Sequence, residues 1–140
     1  MRRSIGLLAV ALTAMALSAS ACDEDPPTTP DPPTPPVINT ETFTGTINPN
    51  GAQTQSFNTE ASGTLTATLI SIAPDSSTRI GLALGTWNGL SCKIEIANDN
   101  AQQGVSITGS ASALGSFCVR IYDIGALTGN ITYEVRVTHP

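Results

Sequence analysis

The residues of this 140-residue chain with chemistry to offer are few: three cysteines, one histidine and eleven carboxylates. Hydrolysis by a Ser-His-Asp system needs a histidine held against a hydroxyl. The single histidine, His139, is the penultimate residue, where chain ends usually fray. Acid–base catalysis by a carboxylate pair needs two acids converging on one substrate. Glu41, Glu60, Asp75, Glu95, Asp99, Asp123 and Glu134 are instead scattered over turns and the polar faces of strand-like segments. One histidine and three cysteines would make a four-ligand zinc site only if all of them converged, and Cys22, Cys92, Cys118 and His139 are too widely scattered to show any zinc-ligand spacing. The densest group of oxygen donors is Asn98-Asp99-Asn100. It is a weak calcium candidate, with one acid in three and no Glu or Gly at EF-hand spacing, and it reads as a turn. The chain is therefore expected to be no enzyme and to carry no cofactor or metal. A net charge of −5 also argues against nucleic acid, whose phosphates call for a basic face.

Two aromatic side chains remain as possible ligand contacts. Trp87, the only tryptophan, falls at a loop tip, where it could stack on a sugar or a peptide, or lid one end of the fold. Tyr122 falls on the polar parity of its strand. The threonine ladders at 42-44-46 and 64-66-68 suit a solvated strand face, for which threonine is simply a good former.

The third cysteine stands apart. Arg2 and Arg3 give a positive start, Ile5 to Leu17 forms an apolar run, and Ser18-Ala19-Ser20-Ala21 then leads to Cys22. The run is shorter than the roughly 20 residues of a membrane-spanning helix and fits the apolar core of an export signal. Small residues followed directly by cysteine resemble the lipobox of bacterial lipoproteins, where cysteine becomes the acylated first residue. Ala19 stands where that family usually has leucine, and Ala19-x-Ala21 would equally suit ordinary signal peptidase, leaving a plain secreted protein. Removal of residues 1–21 leaves four basic against eleven acidic residues, a net of −7.

Residues 23–36, DEDPPTTPDPPTPP, hold seven of the ten prolines. Proline fixes φ and withholds the backbone donor, so neither helix nor sheet forms. An extended polyproline stretch of ~3.1 Å per residue would hold whatever follows about 40 Å from Cys22.

From Val37 onward, β-branched and aliphatic residues alternate with polar ones between Gly- and Asn-rich turns. About eight short segments show this two-residue period. Each has one apolar face, and two such sheets bury those faces on each other. The expected organisation is a signal peptide at 1–21, a lipidated Cys22 with a Pro/Thr-rich linker at 22–36, and an all-β domain at 37–140. That domain is expected to be an antiparallel β-sandwich, jelly-roll-like, with an aliphatic core.

Parity sharpens one hairpin. A three-residue connection, Trp87-Asn88-Gly89 with Gly89 left-handed, places Leu84, Leu82 and Ile80 opposite Cys92, Ile94 and Ile96. Cys92 and Cys118 are left as a pair in an exported domain, the setting in which a disulfide is expected. Cys92 lies on the apolar parity of its strand and Cys118 on the polar parity of its own, so a bulge or strand end must reconcile them.

The segments Phe43-Thr44-Gly45-Thr46, Gly63-Thr64-Leu65-Thr66-Ala67, Gly115-Ser116-Phe117-Cys118-Val119-Arg120-Ile121-Tyr122 and Tyr133-Glu134-Val135-Arg136-Val137 are similar, in this order, to those of the bacterial pre-peptidase C-terminal (PPC) domains. The resemblance covers roughly residues 41–138. It implies a β-sandwich and a non-catalytic accessory role, usually beside a secreted peptidase, although no peptidase precedes the domain here. The expectation is an exported protein, lipid-anchored at the outer membrane or cell surface of a bacterial envelope, otherwise periplasmic or secreted. Its partners would be the membrane, through Cys22, and an unidentified glycan or protein. Alternatives are a carbohydrate- or matrix-binding module and a helper of a secreted hydrolase.

Overall fold

The structure, a computed structural model, describes residues 34–140. The signal segment, Cys22 and the linker up to residue 33 lie outside the described residues. Eight strands follow one another: β1 (Asn39–Ile47), β2 (Ala52–Thr59), β3 (Gly63–Ala73), β4 (Ile80–Trp87), β5 (Cys92–Ala101), β6 (Ser106–Ala111), β7 (Gly115–Tyr122) and β8 (Ile131–His139). They form two antiparallel four-stranded sheets in the orders β1-β8-β3-β6 and β2-β7-β4-β5. Consecutive strands mostly alternate between sheets, which is the eight-stranded jelly roll.

Alternation decides which side chains go inside. In β8, Ile131, Tyr133, Val135 and Val137 are buried, while Thr132 and Arg136 face water. Leu65, Ala67 and Leu69 of β3 meet Ile80, Leu82 and Leu84 of β4 and Val119 and Ile121 of β7 in one core. The threonines lie outside and line up across the strands: Thr40 pairs with Thr138, Thr138 with Thr66, and Thr66 with Thr108. Phe57 and Phe117 stack at 6.0 Å near one end; Tyr133 is the other buried aromatic of the core, and Phe43 packs against that core.

The β4–β5 hairpin departs from the parity expectation. The connection is the four residues Asn88–Ser91, and Trp87, not Leu84, stands opposite Cys92. Asn88 sets this length. Its Oδ1 accepts from the backbone N–H groups of Leu90 (2.9 Å) and Ser91 (2.8 Å), and its own N–H donates to the Ser91 carbonyl at 3.3 Å. Gly89 is left-handed, φ 93°, as expected. The inside–outside conflict is relieved further along, because Gly85 pairs with Ile94 and Leu84 with Ile96. Glu95 is thus an extra residue, and a bulge reverses the parity of β5. Cys92 and Ile94 lie on the outer face, and Ile96 turns inward.

That bulge also reconciles the cysteines. Cys118, opposite Gly85 on the outer face, bonds Cys92 with a Cα–Cα separation of 5.8 Å. The sulfurs span β4, the strand between their own. The β5 backbone at Lys93 and Ile94 closes over Gly85, where a Cβ would collide with the Lys93 carbonyl.

Candidate functional site

Register divides the sandwich into two ends. One holds the entry to β1, the finish of β8, and the turns at 60–62, 88–91 and 112–114, because Asn39 faces His139, Gly63 faces Ala111 and Trp87 faces Cys92. The other holds the turns at 48–51, 74–79, 102–105 and the long 123–130 loop.

Trp87 and Tyr122 share the outer face of the β2-β7-β4-β5 sheet but not a pocket. Along β4 that face reads Gly81, Ala83, Gly85, Trp87, by simple alternation. Tyr122 lies across Gly81, its paired residue, where a Cβ would strike the phenol ring. Trp87 is half-buried and six positions further along the strand, about 20 Å at ~3.3 Å per residue. Arg120 and the disulfide occupy the stretch between them on β7. An extended ligand could span both rings; a compact one could not.

The Asn98-Asp99-Asn100 cluster is engaged with neighbours. Tyr122 Oη donates to Asp99 Oδ1, Arg79 Nη1 donates to Asn100 Oδ1, and the Asn100 N–H donates to Asn98 Oδ1 at 2.9 Å. Desolvation first, then the bond to Asp99 and its charge, push the Tyr122 phenol up to about 12, against a smaller opposing effect of Arg120. Among the described residues, no three His, Cys, Asp or Glu side chains gather as metal ligands.

Asp123 does structural work at the opposite end. Its carboxylate accepts from the backbone N–H groups of Asn50 (2.7 Å), Gly125 (2.9 Å), Ala126 (2.9 Å) and Leu127 (3.1 Å). Desolvation raises its pKa, but these donors outweigh that and hold the carboxyl below the ordinary range.

His139 is a correction. It does not fray: it is buried in β8, with Nε2 2.9 Å from Glu41 Oε1 and its ring 5.1 Å from Phe57. Pairing of Asn39 with His139 extends the ladder to the penultimate residue. The ring thereby links the start of β1 to the opposite sheet. Among the described residues its hydrogen-bond partners are Glu41 and the Pro140 carbonyl, and no nucleophilic hydroxyl is one of them.

One feature escaped the sequence reading. A cleft of about 370 Å³ opens between β5 and β6, the edge strands of the two sheets. Leu65, Leu84, Ile96 and Phe117 form its apolar wall, with Thr86, Glu95, Ser110 and Ser112 among its polar lining. Gly109 helps keep it open, since a Cβ there would reach to 3.4 Å from Ile96 Cδ1. The signal was a glycine on the apolar parity of β6, between Ile107 and Ala111, where a larger residue would fill the gap. Its size is that of a small-ligand pocket or a seat for one or two apolar side chains.

No family model matches this chain, and no curated protein matches it either.

Proposed function

We propose that this chain is a non-catalytic lipoprotein of a bacterial cell envelope, with a PPC-like β-sandwich head that binds or scaffolds at the end of a Pro-rich stalk. The observation that carries this reading is the order of parts. An export-type apolar run leads to Cys22, a proline tract follows, and a self-contained head begins at Asn39, three residues after Pro36. The Cys92–Cys118 disulfide supports export, because such bonds persist in oxidising compartments. In this reading the acyl chains on Cys22 attach the chain to the membrane and the head carries the binding role. Detergent-phase partition of the expressed chain tests it. Wild type should enter the detergent phase and Cys22→Ala should stay in the aqueous phase; equal partition would remove the anchor.

A carbohydrate- or matrix-binding role is the second reading, favoured by Trp87 and Tyr122 lying on one sheet face at a spacing suited to a chain-like ligand. Retention on a polysaccharide should fall about tenfold on truncation of either ring if each stacks on a sugar. Retention untouched by Trp87→Ala and Tyr122→Ala would remove it. A third role, assisting a secreted hydrolase, would show as co-purification of that enzyme.

A further inference from the structure

The large apolar side chains left in water are not scattered over the head. Val37 and Ile38 immediately precede β1, Leu90 sits in the 88–91 turn, Leu114 in the 112–114 turn, and Ile94 and Ile96 in the first half of β5. All but the β5 pair lie at the end where the chain enters the fold, and that pair leads away from it. Among the described residues, the opposite end contributes only Ile124. Leu90 is 92% exposed and Leu114 75% exposed. Leu90 is presented rather than loosely hung, because the Asn88 side chain pins the backbone on both sides of its peptide. Apolar side chains gathered at one end, rather than scattered singly, are what a contact surface presents.

The position of the tether identifies what they contact. The chain outside the described residues joins the head at Thr34, five residues before Asn39, hence at this same end. If the proline-rich stretch is fully extended, at ~3.1 Å per residue, Cys22 and Asn39 lie at most about 50 Å apart. A tether of that length keeps this end within reach of its anchoring surface, at an effective concentration of order millimolar, so a weak contact is populated. The charges nearby, Glu41, Glu60, Lys93 and Glu95, are mostly acidic, and the one base, Lys93, is paired with Glu95 at 3.1 Å. Attraction to anionic headgroups is therefore not the driving force; burial of apolar side chains at the acyl boundary is.

Resting on the lipoprotein reading above, we propose that the tether end of the head is a lipid-facing surface. Leu90 and Leu114 dip into the interface of the leaflet to which Cys22 is attached, so the head lies down on the membrane rather than standing clear of it.

Trp87 directly precedes the Leu90 turn and is the only tryptophan, so it reports the contact without a label. The mature chain, with an unacylated Cys22 coupled to a maleimide-headgroup lipid, is placed on phosphatidylethanolamine–phosphatidylglycerol vesicles containing acyl-brominated lipid. Coupling supplies the tether whether or not the native chain is acylated, which the detergent partition decides separately. Expected are a blue shift and quenching of Trp87, lost in a tethered Leu90→Asp/Leu114→Asp variant with an unchanged circular dichroism spectrum. The same pair of substitutions should weaken the contact about tenfold per leucine. Unquenched Trp87 in wild type, or equal quenching in the variant, would overturn the proposal. So would a blue shift that follows protein density on the vesicle without bromine quenching, since that would make a second copy the partner.

Discussion

Cys92 and Cys118 are bonded across a strand that belongs to neither. The disulfide runs from β5 to β7 over Gly85 of β4, on the outer face of the sheet. It therefore fastens an edge strand to the sheet's interior where the Glu95 bulge disturbs the hydrogen-bond ladder. The bond closes a chain segment with a sequence separation of 26, for which loop-closure entropy amounts to about 3 kcal/mol. A Cys92→Ala/Cys118→Ala variant should unfold in urea with ΔG lower by about that amount. An unchanged midpoint would mean that β5 is held without the bond.

Gly85 and Gly109 should differ in how well they tolerate alanine. At Gly85 the new methyl would meet the Lys93 carbonyl, which is backbone and cannot rotate away. Gly85→Ala should cost on the order of 1–3 kcal/mol and displace Cys92 from Cys118. At Gly109 the methyl would reach only to 3.4 Å from the end of the Ile96 side chain, in an open cleft. Gly109→Ala should leave stability within about 1 kcal/mol and reduce the space available to any cleft ligand. Thermal unfolding of the two variants side by side checks the contrast.

Removal of the Asp123 carboxylate should loosen the end of the sandwich away from the tether. Asp123→Ala strips four backbone N–H groups of their acceptor; by analogy with loss of a helix cap, the cost is about 1 kcal/mol. Because the folded carboxyl titrates below its ordinary 3.8, its contribution is complete above that pH and is lost as pH falls through the folded value. The variant should accordingly show a shallower loss of stability in acid. Hydrogen exchange should quicken at Gly125, Ala126 and Leu127.

Tyr122 sets the alkaline limb. Its phenol is pushed from 10.0 to about 12, so its contribution is intact below pH 10.0 and is lost as pH rises toward 12. Burial also raises Tyr133, although the Gln55 side chain works against the rise. Ultraviolet titration of the folded protein should find both tyrosines above the ordinary range. Tyr122→Phe keeps the ring over Gly81 but loses the bond to Asp99, and it should flatten the decline between pH 10.0 and 12. Phenol ionisation at its ordinary pH in the native protein would contradict this.

The sheets were legible where each strand has one wet and one dry face. Ile131 to Val137 and Leu65 to Leu69 declare their inner residues by alternation alone, and turn residues such as Asn48-Pro49-Asn50-Gly51 bound the strands. Alternation failed in β5, because a bulge adds one residue with no mark of its own: Glu95 looks like any polar strand position. Alternation alone therefore makes the loop one residue too short and places Ile94 inside. The cysteine pairing could still be read, since it depends on export and inventory rather than on register. His139 was missed because proximity to a terminus says nothing about what the last strand pairs with; Glu41 and Phe57, distant in sequence, hold it. The cleft was hidden for a similar reason: it exists only where two sheet edges, β5 and β6, come to face each other.

The most direct test of the tethered-head account is the intact mass of the mature protein, with sequencing of its first peptide, from membranes of a bacterial host. Expected is a chain starting at Cys22 that carries acyl-glyceryl mass on that residue. A chain starting at an unmodified Cys22, or one retaining residues 1–21, would contradict the account at its foundation.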